Sequence, residues 1–315
     1  PLKEAKVFDG ESDSLLSFDT NKSSIEALGY LVPNYLIRLA LFKKASQIEN
    51  VTIQYDISVV DVKTNPSNAN IVLSNGMVIK SKLIVAADSR FSEIRRKMGI
   101  PSMMKDFSKV MIVTRVSHEN SHNQTALECF KYGYTLALLP LNGNVSSVVL
   151  TVSTDQSEEI LNMDNEKFCD FASEGFNNKL GTMKQIGDRY SYPLVGVFSQ
   201  KLRATRFALI GDAAVGMHPV TAHGYNLGLS GQELLARAVL TARHQGQDIG
   251  SPRLLQQYSD RHRRVALPMY FGTNALVGLY TTENLPTRIV RKALLHAANH
   301  LPPIRRVVTD RLVSH

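Results

Sequence analysis

Hydrophobic positions follow two spacings along this chain, one typical of helices and one typical of strands. Apolar residues recur every three or four positions over 35–47, which predicts an amphipathic helix. Short apolar runs at 83–87 and 206–210 are typical of buried strands in a parallel sheet. Asn75-Gly76 predicts a hairpin turn, because both residues tolerate a positive φ. The pattern therefore predicts a mixed α/β fold.

The remaining elements divide the chain into regions of different texture. Between about 100 and 198, strands are predicted at 109–116, 136–139 and 145–152, with one helical patch at 166–174. Shorter strands are predicted before this region, at 51–55, 58–62 and 71–73. After it, long helices are predicted at 226–243 and 252–280, followed by two helices around Pro302-Pro303. We therefore expect a sheet-rich unit inserted into an α/β unit.

Composition and charge exclude several classes of protein. A chain of 315 residues is long enough for two domains. Cys129 and Cys169 are far apart, which argues against a disulfide scaffold or a zinc site and favours a reducing, cytoplasmic compartment. The net charge of +8 is not concentrated in one block and the chain has no Trp, so nucleic acid is not an expected partner. Basic clusters at 261–264 and 288–311 predict either solvated helix faces or contact with a lipid surface or a partner.

One segment carries the most specific chemistry. The buried strand at 206–210 ends at Gly211, where the backbone can turn closely around a ligand, and Asp212 follows. A carboxylate at the carboxyl end of such a strand can accept hydrogen bonds from sugar hydroxyls. A helix is predicted to begin near Gly224–Asn226, and its N-terminus can stabilise negative charge on a ligand. An ordinary strand–loop–helix with a capping Asp or Asn is the alternative, but the full spacing favours a ligand site.

The same segment resembles a known motif. It is similar to the second FAD motif of the para-hydroxybenzoate-hydroxylase-like flavoprotein monooxygenases, G-D-A-A-H-x-x-x-P-x-x-x-x-G-x-N-x-G. The matching residues are Gly211, Asp212, Ala213, Ala214, Pro219, Gly224, Asn226 and Gly228. Val215 replaces the usual histidine, and His223 stands where ubiquinone-pathway members often carry glutamine. Within the family, the chain most resembles the ubiquinone-biosynthesis hydroxylases.

A second resemblance covers residues 86–95, which are similar to the family motif G-A-D-G-x-x-S-x-V-R that contacts FAD and NAD(P)H. Asp88, Ser92 and Arg95 match, whereas Ala86 and Ser89 replace the two glycines. The second replacement restricts φ after the aspartate. Lesser matches extend the resemblance. Residues 32–34 fall where the family often has V-x-R before a helix that touches FAD, with Asn34 in place of the arginine. Residues 138–141 resemble an element of its substrate sheet, and 192–194 resemble the element that leads back to the FAD domain.

The resemblance implies a fold class and a domain order. The expected fold is α/β, with a Rossmann-like FAD-binding domain that is incomplete at its N-terminus, an inserted β-sheet substrate domain and C-terminal helices. The expected boundaries are 31–98 and 199–281 for the FAD domain, 1–30 and 99–198 for the substrate domain, and 282–315 for the helical segment. Because the chain contains no G-x-G-x-x-G, we expect only the flavin half of the FAD site here, without the loop that anchors the pyrophosphate.

The resemblance also implies site residues. The candidate cofactor-binding residues are Asn34, Asp88, Gly211, Asp212, Pro219, Gly224, Tyr225 and Asn226. The candidate catalytic residues are His218, Pro219 and His223, the two histidines more as pocket-lining groups than as acid or base. No metal site is expected, because these histidines lack acidic companions at ligand spacing.

The expected activity is hydroxylation of an aromatic ring by FAD through a C4a-hydroperoxide, with NADPH or NADH and O₂ as co-substrates. The expected substrate is a polyprenylated phenol or quinol of ubiquinone biosynthesis. The protein is then cytoplasmic or peripheral to the inner membrane, at a membrane surface or in a ubiquinone-biosynthesis complex. Two alternatives stay open. One is a hydroxylase of small aromatic acids, which needs a cationic anchor in the sheet, and the other is a truncated, non-catalytic scaffold subunit without FAD.

Overall fold

The computed structural model describes residues 1–9, 15–20, 26–131 and 133–281. The helices predicted around Pro302-Pro303, and the helical segment expected at 282–315, lie outside the described residues.

The described strands and helices are numbered in chain order. The strands are β1 (Glu4–Asp9), β2 (Leu15–Asp19), β3 (Val59–Thr64), β4 (Ala69–Leu73), β5 (Val78–Ser81), β6 (Ile84–Ala86), β7 (Ser102–His118), β8 (Thr125–Phe130), β9 (Thr135–Pro140), β10 (Val145–Ser153), β11 (Met183–Ser199), β12 (Arg203–Ala204), β13 (Phe207–Leu209) and β14 (Val215–Gly216). The helices are α1 (Asn34–Ser46), α2 (Glu93–Lys97), α3 (Thr154–Asn162), α4 (Asn165–Gly175), α5 (Gly211–Ala214), α6 (Gly224–His244) and α7 (Pro252–Thr281).

The described chain forms two compact units, each built from separate stretches of sequence. The first unit contains 1–51 and 108–194, and the second contains 52–107 and 195–278. Residues within each unit contact one another more than they contact the other unit, and this division does not show which unit binds a ligand. The cofactor and substrate roles predicted for particular ranges therefore stay predictions.

The first unit is organised around a sheet. Its strands lie in the order β11-β7-β10-β9-β8-β1-β2, and β1 pairs in parallel with β8. Burial alternates residue by residue along β10, as expected for a strand with one face against a core. That face packs against α3 and α4 through Ile160, Phe168 and Ala172. The sheet-rich texture predicted for this region is confirmed, although two helices, and not one, follow β10.

The second unit contains the buried parallel strands that the sequence predicts. β6 and β13 pair in parallel, and Phe207, Ala208 and Leu209 are fully buried. Their core continues into α6 and α7 through residues such as Leu235 and Leu255. Both helices begin and end within two residues of their predicted bounds.

A small antiparallel sheet, β3-β4-β5, also belongs to the second unit. Its hairpin turn is at Asn75-Gly76 as predicted: Gly76 has φ +82°, and the Met77 amide donates to the Asn75 side chain at 3.1 Å. The strand predicted at 51–55 is wrong. Val51 and Tyr55 are exposed and the segment forms no strand, because β-forming residues make a strand only where a neighbouring strand pairs with them.

Candidate cofactor site

The first motif builds a close approach between a strand end and a helix. β13 ends at Leu209, and Gly211 then adopts φ +56°, in the left-handed region that glycine enters without strain. A Cβ atom at Gly228 on α6 would lie only 3.4 Å from the Gly211 Cα atom. The two glycines therefore bring the strand end against the first turns of α6. The tight turn that the sequence predicts is present.

Asp212 lies on α5 directly after this turn, with its side chain partly exposed. One of its oxygens, Oδ2, accepts a hydrogen bond from Nη2 of Arg90 at 3.0 Å. Arg90 is itself fixed, because its Nη1 donates to the Val195 carbonyl at 3.1 Å. A Cβ at Gly216 would lie 3.0 Å from the Arg90 Cβ, so the glycine leaves room for the arginine. The pair holds the carboxylate in one orientation at the carboxyl end of β13.

The N-terminus of α6 is the second part of the site. The helix begins at Gly224, as predicted, and its N-cap residue His223 makes no capping hydrogen bond through its side chain. The first amides of a helix have no partner within it, and they carry the positive end of its dipole. Apart from its chain neighbours and the backbone of its own helix, no atom of the described residues lies within 4 Å of a Cβ built on Gly224, and Tyr225 and Asn226 are exposed. This helix end is open to a ligand.

These residues fit the flavin half of FAD. A partly exposed carboxylate accepts hydrogen bonds from ribityl hydroxyls, and amides at a helix N-terminus stabilise negative charge on the flavin ring. Tyr225, which is 52% exposed, offers an aromatic surface beside them. The donors, the acceptor and the open space at Gly224 all suit this group.

His218 is a neutral side chain within the motif. Its Nδ1 accepts a hydrogen bond from the Val220 amide at 3.2 Å, which caps the 3-10 turn at Pro219–Thr221. Its ring packs edge-to-face with the ring of Phe107, and the two ring centroids are 4.8 Å apart. Burial, aided by the charges of Arg90 and Lys105, lowers the pKa of His218 to about 4. Because Nδ1 accepts, the single ring proton at neutral pH is on Nε2.

The other two candidate catalytic residues lie on either side of this turn. Pro219 opens it and is exposed, and His223 ends the loop as the N-cap of α6. Between them, Ala222 has φ +53°, in the left-handed region. The catalytic roles of His218, Pro219 and His223 stay predictions.

The second motif is joined to the first by Arg95, which is almost fully buried. Its Nη1 donates to the Ala213 carbonyl at 2.9 Å, and its Nη2 donates to the Arg90 carbonyl at 3.1 Å. The main chain around both Asp212 and Arg90 is thereby tied to one guanidinium. The structure therefore brings the two motifs of the sequence together in the second unit.

The side chain of Asp88 forms hydrogen bonds with residues close to it in sequence. Its carboxylate accepts from the Ser92 hydroxyl at 2.5 Å and from the Ile94 amide at 3.0 Å, at the start of α2. Ser89, which replaces a family glycine, has φ +83°. Asn34 is an exposed residue at the start of α1, in the first unit. Contact of Asp88 or Asn34 with a cofactor stays a prediction.

Arg90 is the site residue that sequence reasoning missed. It lies inside the second motif at a variable position, and its partner Asp212 is 122 residues away in sequence. No local pattern connects the two. The one feature of the sequence that could have identified Arg90 is its charge, three residues after the predicted buried strand at 83–87.

Comparison with known proteins tests the FAD interpretation. The family described as "FAD binding domain" matches residues 29–270, which is more than half of the chain. The chain belongs to this FAD-binding family. FAD is therefore its cofactor, as the motif at Gly211 predicts.

Two relatives are similar over nearly the whole chain. "Ubiquinone hydroxylase UbiM" of Neisseria meningitidis is 43% identical over 318 residues, covering 100% of this chain and 69% of the relative. "Ubiquinone hydroxylase UbiL" of Rhodospirillum rubrum is 31% identical, covering 98% of this chain and 71% of the relative. The resemblance to ubiquinone-pathway hydroxylases is confirmed.

A solved structure supports the fold. The p-nitrophenol 4-monooxygenase PnpA of Pseudomonas putida superposes with a TM-score of 0.77 at 17% identity, covering 98% of this chain and 79% of that chain. At this identity the likeness shows the fold, and the predicted α/β fold class is confirmed.

Proposed function

We propose that this family member is an FAD-dependent monooxygenase that hydroxylates an aromatic precursor of ubiquinone. The observation that carries the proposal is the site at Gly211–Asn226, where a fixed carboxylate and an open helix N-terminus fit a flavin. The names of the relatives, two of them ubiquinone hydroxylases, supply the pathway. FAD, when bound and reduced by NADH or NADPH, supplies the activation of O₂.

The residues of this chain would bind FAD and orient its flavin ring. Asp212 would accept hydrogen bonds from the ribityl chain, held in position by Arg90. The amides at the start of α6, around Gly224 and Asn226, would stabilise negative charge on the flavin ring. His218, neutral at pH 7, would keep the turn before α6 in shape. We propose no acid or base role for it, since its pKa is lowered to about 4.

We also propose that the enzyme works at the surface of the inner membrane, where a polyprenylated substrate resides. The described residues contain no helix that is both long and apolar enough to cross a bilayer. Of the basic cluster on α7, His262 is buried and Arg263 donates to the carbonyls of Ser199 and Gln200. Arg261 and Arg264 are the exposed members, and only these remain for a lipid surface or a complex partner.

Two experiments test the function. The purified natural chain is mixed with FAD, and a visible spectrum is recorded after removal of free flavin. It is then supplied with NADH or NADPH, ¹⁸O₂ and a short-chain prenylphenol, and the product is analysed by mass spectrometry. We expect bound flavin and one labelled oxygen in the product. A protein that retains no flavin would instead support the scaffold alternative.

The pathway is tested in cells. Deletion of the gene should make an under-hydroxylated quinone precursor accumulate, and the wild-type gene should restore the pool. A gene that carries Asp212→Asn is introduced in parallel with the wild-type gene, as the variant altered at the proposed flavin site. An unchanged quinone pool in the deletion strain would contradict the ubiquinone assignment and favour the alternative of a small aromatic acid.

A further inference from the structure

One row of residues crosses the sheet of the first unit. The register aligns Val113 of β7, Val149 of β10, Ala137 of β9, Glu128 of β8 and Val7 of β1. Paired residues of neighbouring strands project from the same face of a sheet. Four members of this row are apolar, and the fifth is a carboxylic acid.

This row lies on the face opposite the helix-covered core. Leu127 and Cys129, the sequence neighbours of Glu128, both belong to the core beneath α3 and α4. Because successive side chains of a strand project to opposite faces, Glu128 points away from that core, together with Ala126 and Phe130. On its own strand and on both neighbouring strands, Glu128 is therefore flanked by Ala126, Phe130, Ala137 and Val7.

Among the described residues, none supplies a counter-charge to Glu128. Within the part of the chain that the structure describes, no hydrogen bond or ion pair engages its carboxyl group. Lys109 and Arg115 of β7 project from the same face, but the Lys109 ammonium group donates to the Gly133 carbonyl, and neither side chain forms an ion pair with Glu128 in the described structure. Burial alone raises the pKa of Glu128 to about 7. An isolated carboxyl group in apolar surroundings weakens the fold, and such groups concentrate at functional sites.

We propose that Glu128 is a substrate-binding residue that forms a hydrogen bond with a hydroxyl group of a phenol or quinol ring lying on this row. The proposal rests on the proposed function and adds the residue that selects the substrate. Val113, Val149 and Val7 offer apolar contact to the ring, and Ala137, which pairs with Glu128, has the smallest side chain of the row.

The chemistry selects phenols over aromatic acids. A protonated carboxyl group both donates and accepts a hydrogen bond, which matches a hydroxyl group. A substrate carboxylate at the same place would meet another acid, and no cation of the described residues is paired with that acid. This row therefore favours a neutral phenol or quinol and disfavours a small aromatic acid.

The test compares binding of 2-prenylphenol with binding of its methyl ether, which cannot donate a hydrogen bond. Affinities are measured by calorimetry on the oxidised, FAD-loaded protein without NAD(P)H, so no turnover occurs. Wild type should prefer the phenol. Glu128→Leu should bind the phenol on the order of tenfold more weakly while binding the ether at least as well. Glu128→Gln, which keeps donor and acceptor atoms, should retain part of the preference.

The control is Glu158→Leu, which removes an exposed carboxyl group from α3 of the same unit. It should bind both ligands as wild type does. Thermal unfolding is recorded for every variant, and we expect neither substitution at 128 to lower the midpoint, because an isolated acid is removed. If Glu128→Leu fails to fold, the isosteric Glu128→Gln variant carries the comparison.

Equal phenol-to-ether ratios in wild type, Glu128→Leu and Glu128→Gln would overturn the inference. The function assay separates this outcome from failure of the proposed function. A wild-type enzyme that hydroxylates the phenol, with an unchanged KM in Glu128→Leu, leaves the function standing and removes the role of Glu128. A wild-type protein that does not bind or hydroxylate any phenol removes both.

Discussion

At the scale of single residues, the site depends on charged groups whose partners are distant in sequence. Asp212 is the residue that the motif identifies, but its orientation depends on Arg90, which also holds the Val195 carbonyl. Both side chains are partly exposed, so the ion pair itself adds little to stability. We therefore expect the pair to act mainly through the FAD contact that we propose for Asp212.

The first residue-scale prediction is that Arg90→Met weakens FAD binding. Without the arginine, Asp212 is free to rotate and the hydroxyl-binding geometry is lost, so Kd should rise roughly five- to thirtyfold, or about 1–2 kcal/mol. Flavin fluorescence titration of the apoprotein measures this. Arg90→Lys should retain part of the affinity.

Arg96→Met is the matched control, since Arg96 is exposed on α2 and lies 4.0 Å from Glu93. It should bind FAD as wild type does. A double-mutant cycle with Asp212→Asn should show coupling between positions 90 and 212. Additive effects would mean that Arg90 acts on FAD independently of Asp212.

The second residue-scale prediction concerns Ser89, whose φ of +83° is strained for any residue with a Cβ atom. Ser89→Gly removes this strain, and part of the gain is offset by the greater freedom of glycine in the unfolded chain. We expect a net stabilisation of about 0.5–1 kcal/mol, measured from urea unfolding.

Ser92→Ala is the control in the same loop, and it should lower the free energy of unfolding, whereas Ser89→Gly should raise it. The Ser92 hydroxyl accepts from the Arg95 amide at 2.9 Å and donates to Asp88, so its loss should cost about 1 kcal/mol. A Ser89→Gly variant less stable than wild type would show that the positive φ carries no strain.

At the scale of elements, the hydrophobic pattern predicts which segments form but not what covers them. Apolar spacing predicts a helix at 35–47, and α1 forms at Asn34–Ser46. The expected burial of its apolar face is absent: no residue of α1 is buried in the described structure. Local spacing fixes the helix, whereas burial depends on a partner surface elsewhere.

The element-scale prediction concerns the small sheet β3-β4-β5. Arg206, at the turn between β12 and β13, donates to the carbonyls of Pro66 and Lys82 and pairs with Asp248. It thereby joins the β3–β4 turn, the β5–β6 link and the α6–α7 link. Arg206→Met removes all these bonds from a buried position and should destabilise the second unit by about 2–4 kcal/mol in urea unfolding.

Asp248→Asn is the milder variant, because the carbonyl contacts of Arg206 remain. The hydrogen bond from Arg206 lowers the pKa of Asp248 below its ordinary 3.8. A depressed pKa contributes stability above the unfolded value, and this stability is lost as pH falls through the folded value. The difference between wild type and Asp248→Asn should therefore shrink below about pH 4. A constant difference across pH 7 to pH 3 would contradict this account.

At the scale of the whole molecule, the chain builds each unit from separate stretches. The two FAD motifs, at 86–95 and 211–228, lie in one unit, while the Glu128 row belongs to the other. Family order predicts that the two motifs act together, and Arg95 shows how they are joined. It does not predict Arg90 or Glu128, because Arg90 occupies a variable position of its motif and Glu128 lies outside both motifs.

The strand–glycine–aspartate–helix segment at 207–228 and the α/β class of the fold could both be predicted from the amino-acid sequence. Those features depend on backbone freedom, side-chain periodicity and short spacing, which are local properties. The folded arrangement is what shows that Arg90 holds Asp212 and that Asp88 accepts hydrogen bonds at the start of α2. It also shows that Glu128 has no charged partner among the described residues of its row. Those features depend on strand register and on contacts between distant segments, and a charge or a carboxyl group acquires its role from the groups that folding places around it.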